Sequence, residues 1–471
     1  MSNYKPTVGI EVHAELKTAT KIFSDSVNGY ANIANTNVNV VDLGYPGVLP
    51  TLNKEVVNKA LTAALILNCK INKKMHFDRK NYFYPDLPKG YQITQARTPI
   101  GVDGYVEIEV DGKPKKIGIH DIHIEEDTCK SIHYNNTSLL DFNRAGVPLV
   151  EIVTKPDISS SKEAILYLEK LRELLLYADV SDCKIEEGSM RCDVNVSISK
   201  TEELGTKIEV KNIGSITNVG IAVESEIKRQ EELLNEGETL HEETRRFDDK
   251  TNSTILMRVK ETGNDYRYFP EADIPFVILS DEHIDEIKKK IPMLADERRK
   301  IYLENGISLI NANKIIQNRE VSEYLNKYLD KNINLVIASN LLLGDIAAYL
   351  NKNNKTMSDT CFNDEKFIEV VNMLNSGDMS SKIFKEILSD LFESNDEIET
   401  LLKNHGISKL SDDDLRVIIK NIIDSNSDNV SAYKNGNERL FKYFVGQVMK
   451  ETKGSANPEL VNKLLLEELS K

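Results

Sequence analysis

One stretch near the start of the chain decides the fold of its first half: Thr7-Val8-Gly9-Ile10-Glu11-Val12-His13-Ala14-Glu15-Leu16. Apolar and polar residues alternate along it, which is typical of a half-buried β-strand. The polar face of this strand would carry Glu11, His13 and Glu15, although Glu is depleted in strands. Two carboxylates beside an imidazole suit a hard divalent cation with a nitrogen ligand at its edge. A solvated edge strand is the alternative interpretation of this segment taken alone.

The same polar face chemistry recurs in three further segments, 121–127, 191–198 and 207–211. The second alternates with Asp193 on its polar side, the third places Glu209 between two lysines, and the first ends in a run of acids. Together the four segments predict a sheet lined on one face by acids and bases. Such a face could bind a nucleotide with Mg²⁺, since carboxylates and phosphate oxygens hold the ion and basic side chains offset the remaining charge.

Composition places the chain among ordinary globular proteins. It has 471 residues, enough for two or three domains, with 40% hydrophobic and 29% charged residues. A net charge of −15 argues against a broad nucleic-acid-coating surface but leaves room for a local basic patch. The five cysteines form no CxxC pair, so we expect free thiols in a reducing cytoplasm. No apolar run approaches the roughly 20 residues of a membrane span, and we expect no secretory signal.

Patterning divides the chain into three parts and predicts an α+β fold. Residues 1–292 are rich in strand-like alternation, Gly and Pro, and we expect an antiparallel or mixed sheet there. Helical periodicity dominates 293–405, including a run at 335–350, and also dominates 406–471.

An aromatic segment, 77–92, contains two prolines and a glycine and is predicted to be a rigid loop. Arg79 and Lys80 could contact phosphates there, and Tyr82 and its aromatic neighbours could stack on a base or ribose. The alternative is that the rings are core and the basic residues are solvated. A second segment of similar composition, 264–273, makes simple packing a weaker explanation.

Six ordered motifs give the chain a specific resemblance. They lie at 8–16, 79–86, 124–127, 141–149, 187–193 and 265–271, and together they resemble the GatB family, the B subunits of tRNA-dependent amidotransferases. The resemblance covers essentially the whole chain. It implies an N-terminal cradle distantly similar to glutamine synthetase, then an all-helical domain and a YqeY-like helical tail that grips tRNA.

The resemblance also implies an activity, that of an ATP-dependent carbon–nitrogen ligase with glutamine as amido donor. ATP and Mg²⁺ are used to phosphorylate the side-chain carboxylate of Glu on tRNA(Gln) or Asp on tRNA(Asn). Ammonia from a glutaminase A subunit then displaces phosphate, and a small C subunit completes the heterotrimer. Which of the two charged tRNAs is the substrate stays open.

The site residues that the resemblance implies fall into two groups. The metal ligands would be Glu11, His13, Glu126 and Glu209, with Asp193 close by, and the choice between Glu125 and Glu126 stays open. Catalysis and nucleotide binding would involve Arg79, Lys80, Glu126 and Tyr82.

Some members of the family hold zinc with four cysteines near the start of the chain. The matching positions here are Ser24, Ser26, Asn39 and Asp42, and none of them is a thiolate. We therefore expect this chain to bind no zinc at that position.

The tail segment 440–454 has a helical period, and we predict that Lys442, Lys450 and Lys453 contact tRNA phosphates. Gly454 is expected to end this helix. Solvated lysines are the alternative. Two other function classes remain open, a free-standing carboxylate–amine ligase resembling glutamine synthetase and a non-catalytic tRNA-binding subunit. The helical tail disfavours the first, and the repeated acidic strand faces disfavour the second.

Overall fold

The computed structural model describes residues 3–31, 33–185, 187–259, 266–407, 412–452, 456 and 458–470. The chain divides into two compact units, Met1–Ala295 and Asp296–Lys471. Strands lie in the first unit and the second is helical in its described part, as the α+β patterning predicted. The division at Ala295 lies close to the first predicted domain limit, whereas the finer limits 1–292, 293–405 and 406–471 stay predictions.

The first unit is built on a mixed nine-stranded sheet in the order β14-β13-β12-β11-β1-β10-β7-β6-β2. Its neighbouring strands are antiparallel except β12 and β13, which run parallel. The strands are β1 Lys5–Glu15, β2 Lys70–Ile71, β3 Lys74–Met75, β4 Asp78–Asn81, β5 Tyr91–Thr94, β6 Gly101–Val110, β7 Lys113–Glu126, β8 Lys130–Tyr134, β9 Thr137–Asp141, β10 Pro148–Thr154, β11 Met190–Ser199, β12 Ile208–Lys211, β13 Glu243–Asp248, β14 Ser253–Val259, β15 Phe269–Pro270 and β16 Val277–Ile278.

Strand β1 lies at the centre of this sheet, between β10 and β11. The alternation read from the sequence becomes two distinct faces. The apolar side chains of β1 and the residue after it are at most 1% exposed and form part of the main core: Val8, Ile10, Val12, Ala14 and Leu16. Burying each of the larger ones stabilises the fold by about 1.5–3 kcal/mol. Because one face is so firmly buried, the register is fixed and the opposite face must present its polar residues together.

Helices cover the apolar face of the sheet. In the first unit they are α1 Lys54–Ile66, α2 Ser161–Tyr177, α3 Ile216–Asn235 and α4 Asp281–Lys290, with a short 3₁₀ turn at Phe142–Arg144. Side chains of α1, α2 and α3 share one hydrophobic core with β1. The first residues of α2 and α3 are preceded by Ser160 and Ser215, whose hydroxyls accept backbone N–H bonds and so fix where each helix begins.

Smaller sheets frame the polar side of the unit. Strand β4 pairs with β5 and β15, β3 pairs with β16, and β8 pairs with β9. The pairing of Phe269 with Arg79 brings together the two aromatic segments that the sequence singled out. Residues 264 and 265, at the start of the second segment, lie outside the described residues.

The second unit consists of short helices. They are α5 Ala295–Glu304, α6 Leu309–Gln317, α7 Arg319–Asn326, α8 Leu335–Leu341, α9 Ala347–Asn353, α10 Asp364–Ser376, α11 Ser381–Glu393, α12 Ile398–Asn404, α13 Asp412–Asp424, α14 Ser427–Lys434, α15 Arg439–Glu451 and α16 Pro458–Leu469. The expected run at 335–350 is helical but contains a π-turn at Leu342–Ile346. A 3₁₀ turn lies at Met357–Asp359. Residues from α13, α15 and α16 form a hydrophobic core of their own. In the described part of the chain, no helix is both long and apolar enough to cross a membrane.

Candidate active site

The polar face of the nine-stranded sheet brings residues from distant parts of the chain into one row. His13 on β1 is paired with Glu151 on β10, and Glu151 is paired in turn with His123 on β7. Directly opposed residues on neighbouring strands lie close enough for their side chains to interact. The sheet register therefore produces a cluster that no single segment contains.

This first cluster is a network of histidines and carboxylates. His13 Nε2 lies 3.2 Å from Glu125 Oε1 and 3.3 Å from Glu151 Oε2. His123 Nε2 lies 3.0 Å from the same Glu151 oxygen, and its Nδ1 lies 2.8 Å from Asp121 Oδ1. Glu151 thus connects the two imidazole rings.

The charges of this first cluster depend on one another. Burial would lower the pKa of His13, but hydrogen bonds to Glu125 and Glu151 outweigh it and raise the pKa to about 10. Burial likewise opposes the charge of His123, and Asp121 and Glu151 raise its pKa to about 10. Burial would raise the pKa of Glu151, but the two histidines hold it well below its usual range. A cation bound by His13 would have to displace a proton, because imidazole binds metals through a neutral nitrogen.

A second cluster lies beside the first, where Glu11 on β1 pairs with Asp193 on β11. Glu209 on β12 completes it. Asn195 Nδ2 donates to Glu11 Oε1 at 2.9 Å, and Thr244 Oγ1 donates to Glu209 Oε2 at 3.0 Å. Burial raises the pKa of Glu11, and the carboxylate of Glu151 raises it further. An acidic group of this kind carries unfavourable repulsion that a bound cation would relieve.

Lys211 is the cation of this second cluster. Its Nζ lies 2.6 Å from Asp193 Oδ2 and 2.9 Å from Glu209 Oε1. Burial opposes the ammonium charge, but Asp193 and Glu209 outweigh burial and raise the pKa of Lys211. Strand β12 ends at Lys211, and α3 begins at Ile216 a few residues further on.

Both clusters have a donor set that fits a divalent metal. His13, Glu125 and Glu151 each offer one ligand atom within 4.8 Å of the others, and the same holds for Glu11, Asp193 and Glu209. Mg²⁺ prefers oxygen ligands at about 2.0–2.1 Å, which small side-chain rotations could supply at either group. The all-carboxylate group suits Mg²⁺ best, whereas the imidazole of the other group also accommodates softer ions.

A cavity of about 470 Å³ opens beside both clusters. Its lining includes His13, Glu125, Asp193 and Lys211, together with Lys80 and Tyr82. This volume falls within the range of small-molecule sites. The ammonium of Lys80 also lies 4.9 Å from the centre of the Tyr266 ring. Burial opposes the charge of Lys80, and the neighbouring carboxylate of Glu125 raises its pKa.

Arg79 faces away from Lys80, because successive residues of a strand point to opposite sides. Its guanidinium makes a two-pronged ion pair with Glu271, with Nε–Oε2 and Nη2–Oε1 distances of 2.6 and 2.7 Å. Asp273 Oδ2 lies 3.2 Å from Nη2, and the ring of Tyr91 lies against the guanidinium. Arg79 is absent from the lining of the cavity. This arrangement favours a structural ion pair for Arg79 over the predicted contact with phosphate.

Glu126 points away from both clusters, because it lies on the opposite face of its strand from Glu125. Ile122 and Ile124 are buried on the core face of β7, so Glu125 shares the polar face and Glu126 does not. The Glu126 carboxylate accepts from Lys89 Nζ at 2.6 Å and from the backbone N–H of Ile93 at 2.8 Å. The sequence left open whether Glu125 or Glu126 would be the metal ligand, and the geometry favours Glu125. Glu126, which was predicted to contact the metal, instead forms an ion pair with Lys89.

Sequence reasoning missed Glu151, His123 and Lys211 as site residues. Glu151 is the easiest to find afterwards, since it is a lone acid inside an otherwise apolar strand, β10. His123 could have been found from its alternation with Ile122 and Ile124. The signal for Lys211 was its alternation with Glu209 along a predicted strand, which places both side chains on one face.

The four positions that correspond to the family's cysteines do come together. Ser24 Oγ and Ser26 Oγ donate to the Asp42 carboxylate at 2.7 and 2.6 Å, and the Asn39 backbone N–H donates at 3.0 Å. The buried ammonium of Lys21 lies 3.4 Å from the same carboxylate. Hydroxyls and a lysine do not fit a structural zinc, which takes thiolate and imidazole ligands.

In the tail, Lys442 and Lys450 are exposed on α15, while Phe444 and Val448 of the same helix are buried. Lys453, and the helix end expected at Gly454, lie outside the described residues.

The first unit thus combines a mixed sheet with a cavity lined by members of both acid clusters and by two lysines, an arrangement typical of domains that bind charged substrates. Residues 6–285 match the family described as the GatB/GatE catalytic domain, and residues 323–469 match the GatB domain. The chain therefore belongs to the GatB family.

Full-length relatives agree with this assignment. Proteins named as the B subunit of aspartyl/glutamyl-tRNA(Asn/Gln) amidotransferase from Lysinibacillus sphaericus (strain C3-41) and Geobacillus thermodenitrificans (strain NG80-2) are each 46% identical to it. The protein of the same name from Bacillus licheniformis is 47% identical over 474 residues. In all three comparisons the alignment covers 100% of both chains.

Proposed function

We propose that this chain is the carboxylate-activating subunit of a glutamine-dependent tRNA amidotransferase. It is a ligase subunit that prepares the side-chain carboxylate of Glu on tRNA(Gln), or of Asp on tRNA(Asn), for amidation. The observation that carries the proposal is the cavity whose lining includes members of both acid clusters, His13, Glu125 and Asp193, together with two lysines. Relatives of the same length carry a name that describes this activity.

The chemistry needs activation because a carboxylate has no good leaving group. A carboxylate oxygen attacks the γ-phosphorus of ATP, the bond to the β,γ-bridging oxygen breaks, and ADP leaves. Ammonia then attacks the carbonyl carbon of the acyl phosphate, loses a proton, and phosphate leaves. The charge that must be stabilised therefore sits on phosphate oxygens throughout.

The chain's residues divide this work. Mg²⁺ supplied with ATP would offset phosphate charge, held by Glu11, Asp193 and Glu209 or by His13, Glu125 and Glu151. Lys80 and Lys211 bind phosphate oxygens from the cavity wall, and Tyr82 stacks on the base or ribose. Within this proposal Arg79 holds β4 to β15 through Glu271, and Glu126 holds Lys89 and β5, so neither touches the substrate.

Finer assignments belong to the same proposal. The first unit would be a cradle similar to glutamine synthetase, and a glutaminase A subunit and a small C subunit would complete a cytoplasmic heterotrimer. Residues 293–405 would form a helical domain and 406–471 a tRNA-binding tail. The tail assignment is supported by the separate hydrophobic core in the second unit, made of residues between 415 and 469.

The test is transamidation by the assembled enzyme with Glu-tRNA(Gln) or Asp-tRNA(Asn), with and without ATP. Glu11→Gln keeps the side chain's shape but removes a charge from the all-carboxylate group. We expect tRNA-dependent ATP hydrolysis to fall by about 100-fold or more, while glutamine hydrolysis in the glutaminase partner is less affected.

Two results would contradict the proposal. The first is near-normal tRNA-dependent ATP hydrolysis by Glu11→Gln, which would remove the metal assignment. The second is amidation of free glutamate at the same rate as charged tRNA, which would favour a free-standing ligase.

A further inference from the structure

We propose that Lys211 makes metal binding at the Glu11–Asp193–Glu209 group depend on the nucleotide. This inference rests on the proposed function, since it concerns how ATP and its metal enter the same site. It assigns Lys211 a positioning role beyond phosphate contact, namely that of an internal cation which the metal replaces only when the ammonium has another partner.

The three carboxylates of the group are held by two kinds of hydrogen-bond donor, neutral and charged. Asn195 and Thr244 are neutral donors, and each holds one carboxylate, Glu11 or Glu209, in place while leaving its charge available. Lys211 is different because its ammonium lies within 3 Å of oxygens on both Asp193 and Glu209. The ammonium therefore neutralises the negative charge that would attract a metal. A divalent cation that binds without nucleotide must compete with this ammonium for the carboxylate oxygens.

The position of Lys211 beside the cavity gives its ammonium a second possible partner, a ligand bound in the cavity. Its side chain is 33% exposed and lines the cavity together with Lys80. A lysine ammonium sits on a flexible four-carbon stem, so a small rotation can carry it from carboxylates to phosphate oxygens. With phosphates in the cavity, the ammonium leaves Asp193 and Glu209, and both carboxylates turn to the metal.

Metal and nucleotide must then bind cooperatively. Each ligand strengthens the binding of the other by the same factor, because coupling between two binding equilibria is reciprocal. The consequence for the enzyme is that this group binds its metal weakly until ATP is present. If Lys211 merely braces the two carboxylates, the metal and the nucleotide are coupled only by direct contact of the metal with phosphate oxygens, and removing the ammonium does not tighten metal binding in the absence of nucleotide.

The experiment measures Mn²⁺ binding to the assembled enzyme by electron paramagnetic resonance, with and without a non-hydrolysable ATP analogue. The part of the bound-Mn²⁺ signal that disappears in Glu11→Gln is assigned to the Glu11–Asp193–Glu209 group. We expect the analogue to tighten Mn²⁺ binding to the wild-type site about tenfold. Lys211→Met should bind Mn²⁺ about tenfold more tightly than wild type without the analogue, and the analogue should then tighten Mn²⁺ binding less than it does in wild type.

Two control variants frame this measurement. Lys211→Arg keeps the positive charge, so its nucleotide-free Mn²⁺ affinity should stay near that of wild type. Lys211→Gln also removes the charge and replaces Lys211→Met if that variant does not fold. Lys207→Met removes the same charge from an exposed residue that precedes β12 and is absent from the cavity lining, so Mn²⁺ binding should be unchanged.

The outcomes separate the inference from the proposed function. Equal or weaker Mn²⁺ binding by Lys211→Met without the analogue overturns the inference, even if Glu11→Gln has lost both Mn²⁺ and ATP hydrolysis. If Glu11→Gln retains both, the proposed site itself is wrong. Tighter Mn²⁺ binding by Lys211→Met without the analogue, together with a smaller effect of the analogue than in wild type, supports both.

Discussion

Glu125 and Glu126 are neighbours in the chain, but the pleat of β7 sends them to opposite sides of the sheet. Glu125 joins His13 and Glu151, whereas Glu126 is bound by Lys89 and the Ile93 amide. A difference of one residue therefore separates a carboxylate beside the cavity from one that is held in an ion pair.

This separation predicts different effects for two matched variants. Glu125→Gln should lower tRNA-dependent ATP hydrolysis by about 100-fold, because it removes a charge that faces the cavity. Its melting temperature should fall less than that of Glu126→Gln, because His13 keeps Glu151 as a partner. Glu126→Gln should lower the melting temperature, because it leaves the Lys89 ammonium without its counter-charge. Thermal melts and steady-state kinetics on both proteins check this. The opposite ranking of the two variants in activity would return the metal contact to Glu126.

The ion pair of Arg79 and Glu271 shows how single contacts hold elements together. The two residues are 192 positions apart, yet their bond joins β4 to the segment that follows β15. Glu271 is fully buried at its side chain, so its charge depends on the guanidinium. Because Lys80 and Tyr82 come soon after Arg79 in the chain, the pair also fixes where those side chains enter the cavity.

We predict that Arg79→Met destabilises the protein by about 3 kcal/mol, since a buried carboxylate is left without its partner. Arg79→Lys should recover part of the loss, because lysine cannot make the two-pronged bond. In the folded fraction, the KM for ATP should change much less than in Lys80→Met. A large rise in that KM with an unchanged melting temperature would restore Arg79 as a phosphate ligand.

The same pair gives a pH dependence with a definite sign. Burial would raise the pKa of Glu271, but Arg79 outweighs burial and lowers it below the usual 4.5. A lowered folded-state pKa means that the stabilisation is present above about pH 4.5 and is lost as the pH falls through the folded value. The stability difference between wild type and Glu271→Gln should therefore shrink on acidification below pH 4.5, as urea unfolding at several pH values would show. A difference that grew on acidification would contradict the assignment.

These elements also show what a sequence can reveal. The alternation in 7–16 was enough to predict β1 and its polar face, because burial on one side is a local pattern. It could not reveal that Glu151 would lie opposite His13, since strand pairing is set by contacts between distant segments. The ion pair of Arg79 with Glu271 could not be foreseen for the same reason, because its partner lies far along the chain. For the choice between Glu125 and Glu126, the alternation of Ile122 and Ile124 along β7 supplies a local argument that favours Glu125.

At the scale of the whole molecule, the proposed function requires the chain to bind a polyanion while carrying a net charge of −15. Contacts with tRNA must therefore be concentrated in local basic patches, because a broadly acidic surface repels the phosphate backbone. Exposed lysines on α15 are candidates, since Phe444 and Val448 hold the helix to the tail's core and leave Lys442 and Lys450 facing outwards. Lysines in such positions contact phosphates without reading bases.

We predict that replacing Lys442 and Lys450 together with Met weakens binding of charged tRNA and raises its KM, while kcat at saturating tRNA is unchanged. Removing each phosphate contact should reduce the slope of log affinity against log salt by about 0.7–0.9. Lys463→Met is the matched control, since Lys463 is exposed on the neighbouring helix α16 of the same core. Binding measured between low and high salt decides the matter: an unchanged affinity and slope in the double variant would mean that these lysines are only solvated. The phosphate contacts of the tRNA body would then have to be sought on other basic residues of the chain.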